Sequence, residues 1–198
     1  MSTGRLEAFS DGVLAIVITV MVLELKPPDG EDWHALFHTS GLGLLTYILS
    51  FVYVGIYWNN HHHLFQLVDH VDGAVLWANL HLLFWLSLYP FTTSWLDESR
   101  IAEVPTIVYG VNLLGAAIAY FILQRSIRHT PSGDRAAAAL GSDLKGKISP
   151  VLYIAGILLA LWEPVVGIAP MVVVAAMWLV PDRRVERFLA AERDAQAG

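Results

Sequence analysis

The sequence predicts an all-α integral membrane protein, residues 1–198 forming a single six-helix membrane domain. Three observations lead there. Hydrophobic residues make up 56% of the chain and charged ones only 15%, a balance outside the usual soluble range. The apolar residues are gathered into runs of about bilayer length. Once those runs are placed, the basic residues collect on one side. With no cysteine, disulfides and thiolate metal sites are excluded. The formal charge of −6 averages two sides of a bilayer and gives no reason to expect a nucleic-acid partner.

Six spans can be justified in turn. The first, residues 6–25, runs from Leu6 to Leu25 and stops at Lys26-Pro27-Pro28, which a helix does not easily cross. It is no cleavable signal peptide, because Glu7 and Asp11 interrupt the basic-then-apolar pattern and no small-x-small site follows. The second span, 41–58, carries no charge, and the third, 74–96, is the longest uncharged stretch. The fourth, 105–123, begins at Pro105, a residue suited to a first helical turn. From Ile148 to Val180 the apolar run would make about 50 Å of helix against a core of about 30 Å. Glu163-Pro164, Gly167 and Pro170 interrupt it, so it reads as two short spans, 148–162 and 165–180. Residues 126–146 read as a cytoplasmic loop, and the charged tail 182–198 as a cytoplasmic segment with amphipathic helical character.

Orientation follows from charge. Six spans put both termini on one side, with Arg5, Arg125, Arg128, Arg135, Lys145, Lys147, Arg183, Arg184, Arg187 and Arg193. The other side receives Lys26 and Arg100 among several acids. By the positive-inside rule both termini are cytoplasmic. Five spans would put the basic tail outside.

The first span carries the most informative residues. Arg5 and Asp11 stand at or inside a membrane helix, where an ionisable side chain is costly and marks function or a protein partner. At about 100° per residue, Ile16, Val20 and Leu23 fall within about 60° of one another, while Asp11 lies about 140° from Ile16. Such a stripe is ordinary packing surface in a membrane helix, and periodicity alone favours that reading.

Polar partners for the Ser10-Asp11 region lie in the next two spans, at His61-His62-His63 and at Asn79. Three successive histidines point about 100° apart on a helix and cannot share one ion, so no tight metal site is expected. One histidine and Asn79 instead reach inward and satisfy buried polar groups that would otherwise be costly. Spacing leaves open which histidine it is. Glu163, beside Pro164 at the outer turn, reads as solvated.

These residues carry a specific resemblance. Arg5-x-x-x-Phe9-Ser10-Asp11, followed by Gly12-Val13-Leu14-Ala15-Ile16 and Thr19, resembles the first helix of the transmembrane protein 175 family of potassium channels, in its bacterial single-repeat form. His62-His63-Leu64-Phe65 and Asn79-x-x-x-x-Phe84-x-x-Ser87-x-x-Pro90-Phe91 resemble that family's second and third helices. The likeness is strongest before Pro90. It implies a homotetramer in the bacterial inner membrane, its first helices surrounding the ion path, with potassium as the permeant species and neither cofactor nor enzymatic activity. By position, Ile16 would form the narrowest ring, with Val20 and Leu23 further out. Bacterial relatives tend to have leucine where this chain has Val20. Thr19 has two roles open to it, a contact to a partly dehydrated cation or a back-bond to its own helix. Arg5, Phe9, Ser10, Asp11, His62 and Asn79 would form the signature and polar network that hold the first helix.

Two other classes compete. A secondary ion transporter or proton leak would explain broken, charged helices, but transporters usually show paired interrupted helices from repeats, and the sequence shows no repeat. A histidine-rich metalloenzyme needs several separated clusters, and this chain has essentially one.

Overall fold

The structure, a computed structural model, describes residues 2–68, 70–140, 143–179 and 188, and among these its regular elements are all helices, with one isolated bridge between Ser2 and His70. Helix α1 spans Thr3–Leu23. Its start is tied to the loop between residues 65 and 73, where the Thr3 hydroxyl donates to the Val68 carbonyl at 3.0 Å. A short helix α2, Trp33–Ala35, is capped by Asp32, which accepts from the Ala35 amide at 2.7 Å. It leads through a π-helical turn, Leu36–Ser40, into α3, Gly41–Phe65. Helix α3 thus continues a further two turns beyond the expected end at residue 58, keeping His61, His62 and His63 helical.

The third expected span is two helices. Helix α4, Gly73–Ser87, starts on an Asp72 cap, and α5, Tyr89–Glu98, follows the break at Leu88. Pro90 in the first turn of α5 explains the break, because its nitrogen cannot donate back to the preceding turn. Arg100 and Ile101 then turn the chain at positive φ, 53° and 59°, a strained choice for a β-branched residue. Helix α6, Glu103–Arg128, has Pro105 in its first turn and runs past the expected end at 123. The expected loop 126–146 contains α7, Gly133–Leu140, and the start of α8, Leu144–Ala160. Helix α9, Pro164–Leu179, completes the described fold. The expected tail 182–198 lies outside the described residues, Phe188 aside.

Among the described residues, four stretches are long and apolar enough to cross a membrane: Thr3–Leu23, Trp33–Phe65, Gly73–Glu98 and Glu103–Arg128. At 17 and 16 residues, α8 and α9 are shorter than the roughly 20 that a perpendicular span needs.

Between helices in lipid, close packing replaces the hydrophobic drive, and small residues permit it. The ring of Trp85 on α4 lies against Gly115 on α6, where a Cβ would sit 2.4 Å from it. A Cβ on Gly156 of α8 would meet the Gly167 carbonyl of α9 at 2.8 Å. Helix α1 packs on α3, α4 and α5 through one face only, with Leu6, Ser10, Leu14, Val17 and Met21 buried. It lies at the edge of the protomer.

Candidate functional site

The face of α1 that carries the aliphatic stripe is largely uncovered by the rest of the chain. Ile16 is 64% exposed, Val20 37% and Leu23 80%, and Gly12, Ala15 and Thr19 are exposed beside them. The Thr19 hydroxyl donates to the Ile16 carbonyl at 2.9 Å, so the back-bond is made and its oxygen keeps outward lone pairs. The stripe borders an open groove against α5, lined there by Ser87, Pro90, Phe91 and Ser94.

The buried face is fixed by hydrogen bonds between helices. The Asn79 amide on α4 donates to the Ser10 hydroxyl at 3.0 Å, and Ser10 donates to the Leu6 carbonyl at 2.9 Å. His61 Nε2 on α3 lies 2.8 Å from Asn79 Oδ1. With the Asn79 oxygen accepting, that nitrogen carries the proton and the imidazole donates. All three side chains are at most 2% exposed. In a water-free interior each bond is stronger than it would be in water, and each unpaired group would be costly.

The histidine that turns inward is therefore His61. His62, counted with the network on the strength of the resemblance, stands outside it. Its Nδ1 lies 3.7 Å from Glu7, its Nε2 accepts from Gln66 at 2.9 Å, and its ring stacks on Trp58. Asp11 also departs from the expected inward link. It is exposed and accepts from Trp58 Nε1 at 3.0 Å. Asp11 thus ties α1 to α3 at the surface, one turn from the buried triad. Arg5 and Phe9 are exposed, and Arg5 has no ion-pair partner among the described residues.

The sequence carries no signal for Trp58 as the partner of Asp11, and the histidine run by itself leaves His61 one of three. A signal existed for His61. Ser50, Tyr53, Tyr57, His61 and Leu64 recur at spacings of three and four on α3 and are all buried, which puts His61, not His62, on the packed face. Among the described residues no three His, Asp or Glu side chains gather as a metal site would require.

Long apolar helices around internal hydrogen bonds, with one helix face bare, define a multi-pass helical membrane protein. Comparison with known proteins makes this particular. The model of the family described as endosomal/lysosomal potassium channel TMEM175 matches residues 5–90. A protein of Chryseobacterium sp. (strain P1-3), named as a potassium channel, is 51% identical over 190 residues, 96% of this chain and 98% of its own length. The crystal structure of a lysosomal potassium-selective channel TMEM175 homolog from Chamaesiphon minutus superposes with a TM-score of 0.73 at 30% identity, over 90% of this chain and 96% of that one. The chain belongs to the TMEM175 family. The Gallus gallus relative, named as an endosomal/lysosomal proton channel, is 30% identical over 116 residues, only 22% of its length.

Proposed function

We propose that this protein is a potassium-selective channel of the cell membrane, four copies surrounding an ion path lined by α1. Each subunit crosses the bilayer six times, α8 and α9 making the last two passages, with both termini cytoplasmic. Ile16 forms the narrowest ring, and Val20 and Leu23 form rings further out. The observation that carries this reading is the bare aliphatic stripe on α1, which the buried triad on its other face holds in a fixed orientation. The named potassium channel relatives support it.

A ring of isoleucines gives a cation no polar partner, so the constriction works by resisting wetting rather than by replacing hydration with carbonyls. Potassium is preferred over sodium because partial dehydration of the larger ion costs less. The preference is modest on this mechanism. Thr19 contributes its outward lone pairs beside the Ile16 ring.

Two measurements test the proposal. Single-channel recording of purified protein in a planar bilayer should give discrete unitary currents that reverse toward the potassium potential. Saturable, coupled flux without unitary events would assign the protein to the transporters. Cysteines placed at Ser142 and at Asp29 should label from opposite sides of intact cells, Ser142 from the inside. Labelling of both from outside would overturn the six-span topology.

A further inference from the structure

A second site lies far from the stripe, between α3, α6, α8 and α9. It is a cavity of about 340 Å³, within the range of about 300–1,000 Å³ typical of small-ligand sites. On α6 its lining runs from Ala117 to Arg128, which is about 16 Å along the helix axis. The lining changes character along that length. At one end are Tyr53, Ile56, Ala117, Ile118 and Phe121, and at the other Asn60, Gln124, Arg128 and Lys147. A cavity graded in this way fits an amphiphile.

Several neutral polar groups of the walls are already used within the chain. The Tyr120 hydroxyl donates to the Asn60 carbonyl at 3.1 Å, and Trp178 Nε1 donates to Ser149 at 2.9 Å. Asp143, the one carboxylate at the polar end among the described residues, accepts from the Gly146 amide at 2.9 Å as the cap of α8. Arg128 and Lys147 have no ion-pair partner among the described residues. At the apolar end, Ile118 and Phe121 are 46% and 60% exposed and continue the outward stripe of Val104 and Val111 on α6. The cavity is thus bordered by hydrocarbon at one end and by two uncommitted cations at the other.

We propose that it holds one inner-leaflet phospholipid with an anionic headgroup, an acyl chain against Ile118 and Phe121 and the phosphate at Arg128 and Lys147. This rests on the membrane orientation proposed above. Cationic pockets between membrane helices on the cytoplasmic side are where anionic headgroups are held, and the guanidinium of Arg128 suits a phosphate.

The test is lipid retention by the purified, assembled full-length protein, read by native mass spectrometry. Phosphatidylglycerol and phosphatidylcholine with the same acyl chains are offered in equal amounts. Phosphatidylglycerol should be retained preferentially. The double variant Arg128→Ala, Lys147→Ala should lose that retention on the order of tenfold or more, and Ala117→Trp, which fills the apolar end, should lower it as well. Arg125→Ala removes a cation on the same helix that does not line the cavity, and should leave retention unchanged. An equal loss with Arg125→Ala, or displacement of the lipid by glycerol phosphate at matched concentration, would overturn the proposal. Because retention needs no ion flux, it can hold even if the protein proves not to conduct. Labelling of Ser142 from outside would move the lipid to the other leaflet and overturn the inner-leaflet assignment.

Discussion

The two faces of α1 are built on opposite principles. One face buries Leu6, Leu14, Val17 and Met21 around the hydroxyl of Ser10, which bonds to Asn79, itself bonded to His61, so that three helices are joined. The other face, four residues or fewer away at every level, presents Ile16, Val20 and Leu23 largely uncovered by the rest of the chain. The comparison teaches that a helix can expose a smooth aliphatic surface at a set angle only if something specific holds its back. Apolar packing alone tolerates rotation and slippage, whereas a directional hydrogen-bonded triad does not.

The sharpest way to break the contrast is to make the bare face polar. Ile16→Asn supplies groups that hold water in the proposed ring. Each 1.36 kcal/mol removed from a barrier is tenfold in rate, and an increase of about tenfold in potassium flux is expected, with reduced discrimination against sodium. Flux and reversal potentials in liposomes would show it. Wild-type values from an intact tetramer would make the stripe a packing face. Val20→Asn, further out, should do less.

The back of the helix should respond differently. Asn79→Ala strands the buried His61 ring nitrogen, at about 1–3 kcal/mol for an unsatisfied group, while Ser10 keeps its bond to the Leu6 carbonyl. Reduced thermal stability and assembly yield are expected, with ion preference unchanged in the protein that survives. A shift in selectivity without loss of stability would mean that the triad acts on the ion path directly. Val17→Asn, buried and close to Ile16 in sequence, should also lower stability and not accelerate flux.

Asp11→Ala should do less than Asn79→Ala, because Asp11 is exposed and accepts a single bond from Trp58. A loss of about 1 kcal/mol is expected, matched by Trp58→Phe and not additive with it. The smallest effect belongs to the loop after α1, where Lys26 and Glu98 pair at 2.8 Å with both side chains more than half exposed. Glu98 raises the Lys26 pKa above its ordinary value. Any stabilisation is therefore complete below the unfolded-state pKa and is lost as pH rises through the higher folded value. Lys26→Ala should leave the melting temperature at neutral pH within experimental scatter.

Much of this was legible in the sequence. Hydropathy found each long helix, and a turn of 100° per residue grouped Ile16, Val20 and Leu23 before their exposure was known. What hydropathy could not give was helix length. The run Asn59 to His63 is too polar to count as membrane, yet its backbone bonds continue unbroken to Phe65. Pro90 carried a signal for the break at Leu88 that the uncharged stretch around it concealed. The role of Asp11 failed for another reason. Its partner is an indole on α3, and which side chain lies across from it depends on the rotation of one helix against another. Sequence spacing within either helix does not encode that angle directly.

The abutting glycines of α8 and α9 constrain how this protein can change over time. Gly156 faces the Gly167 backbone, while a Cβ on Gly167 would come within 2.7 Å of the Cβ of Ala160. Enlarging any one of the three pushes the helices apart and unpacks the others. Their substitutions are therefore coupled rather than independent. Stepwise drift at one glycine is closed unless the opposing helix has already moved.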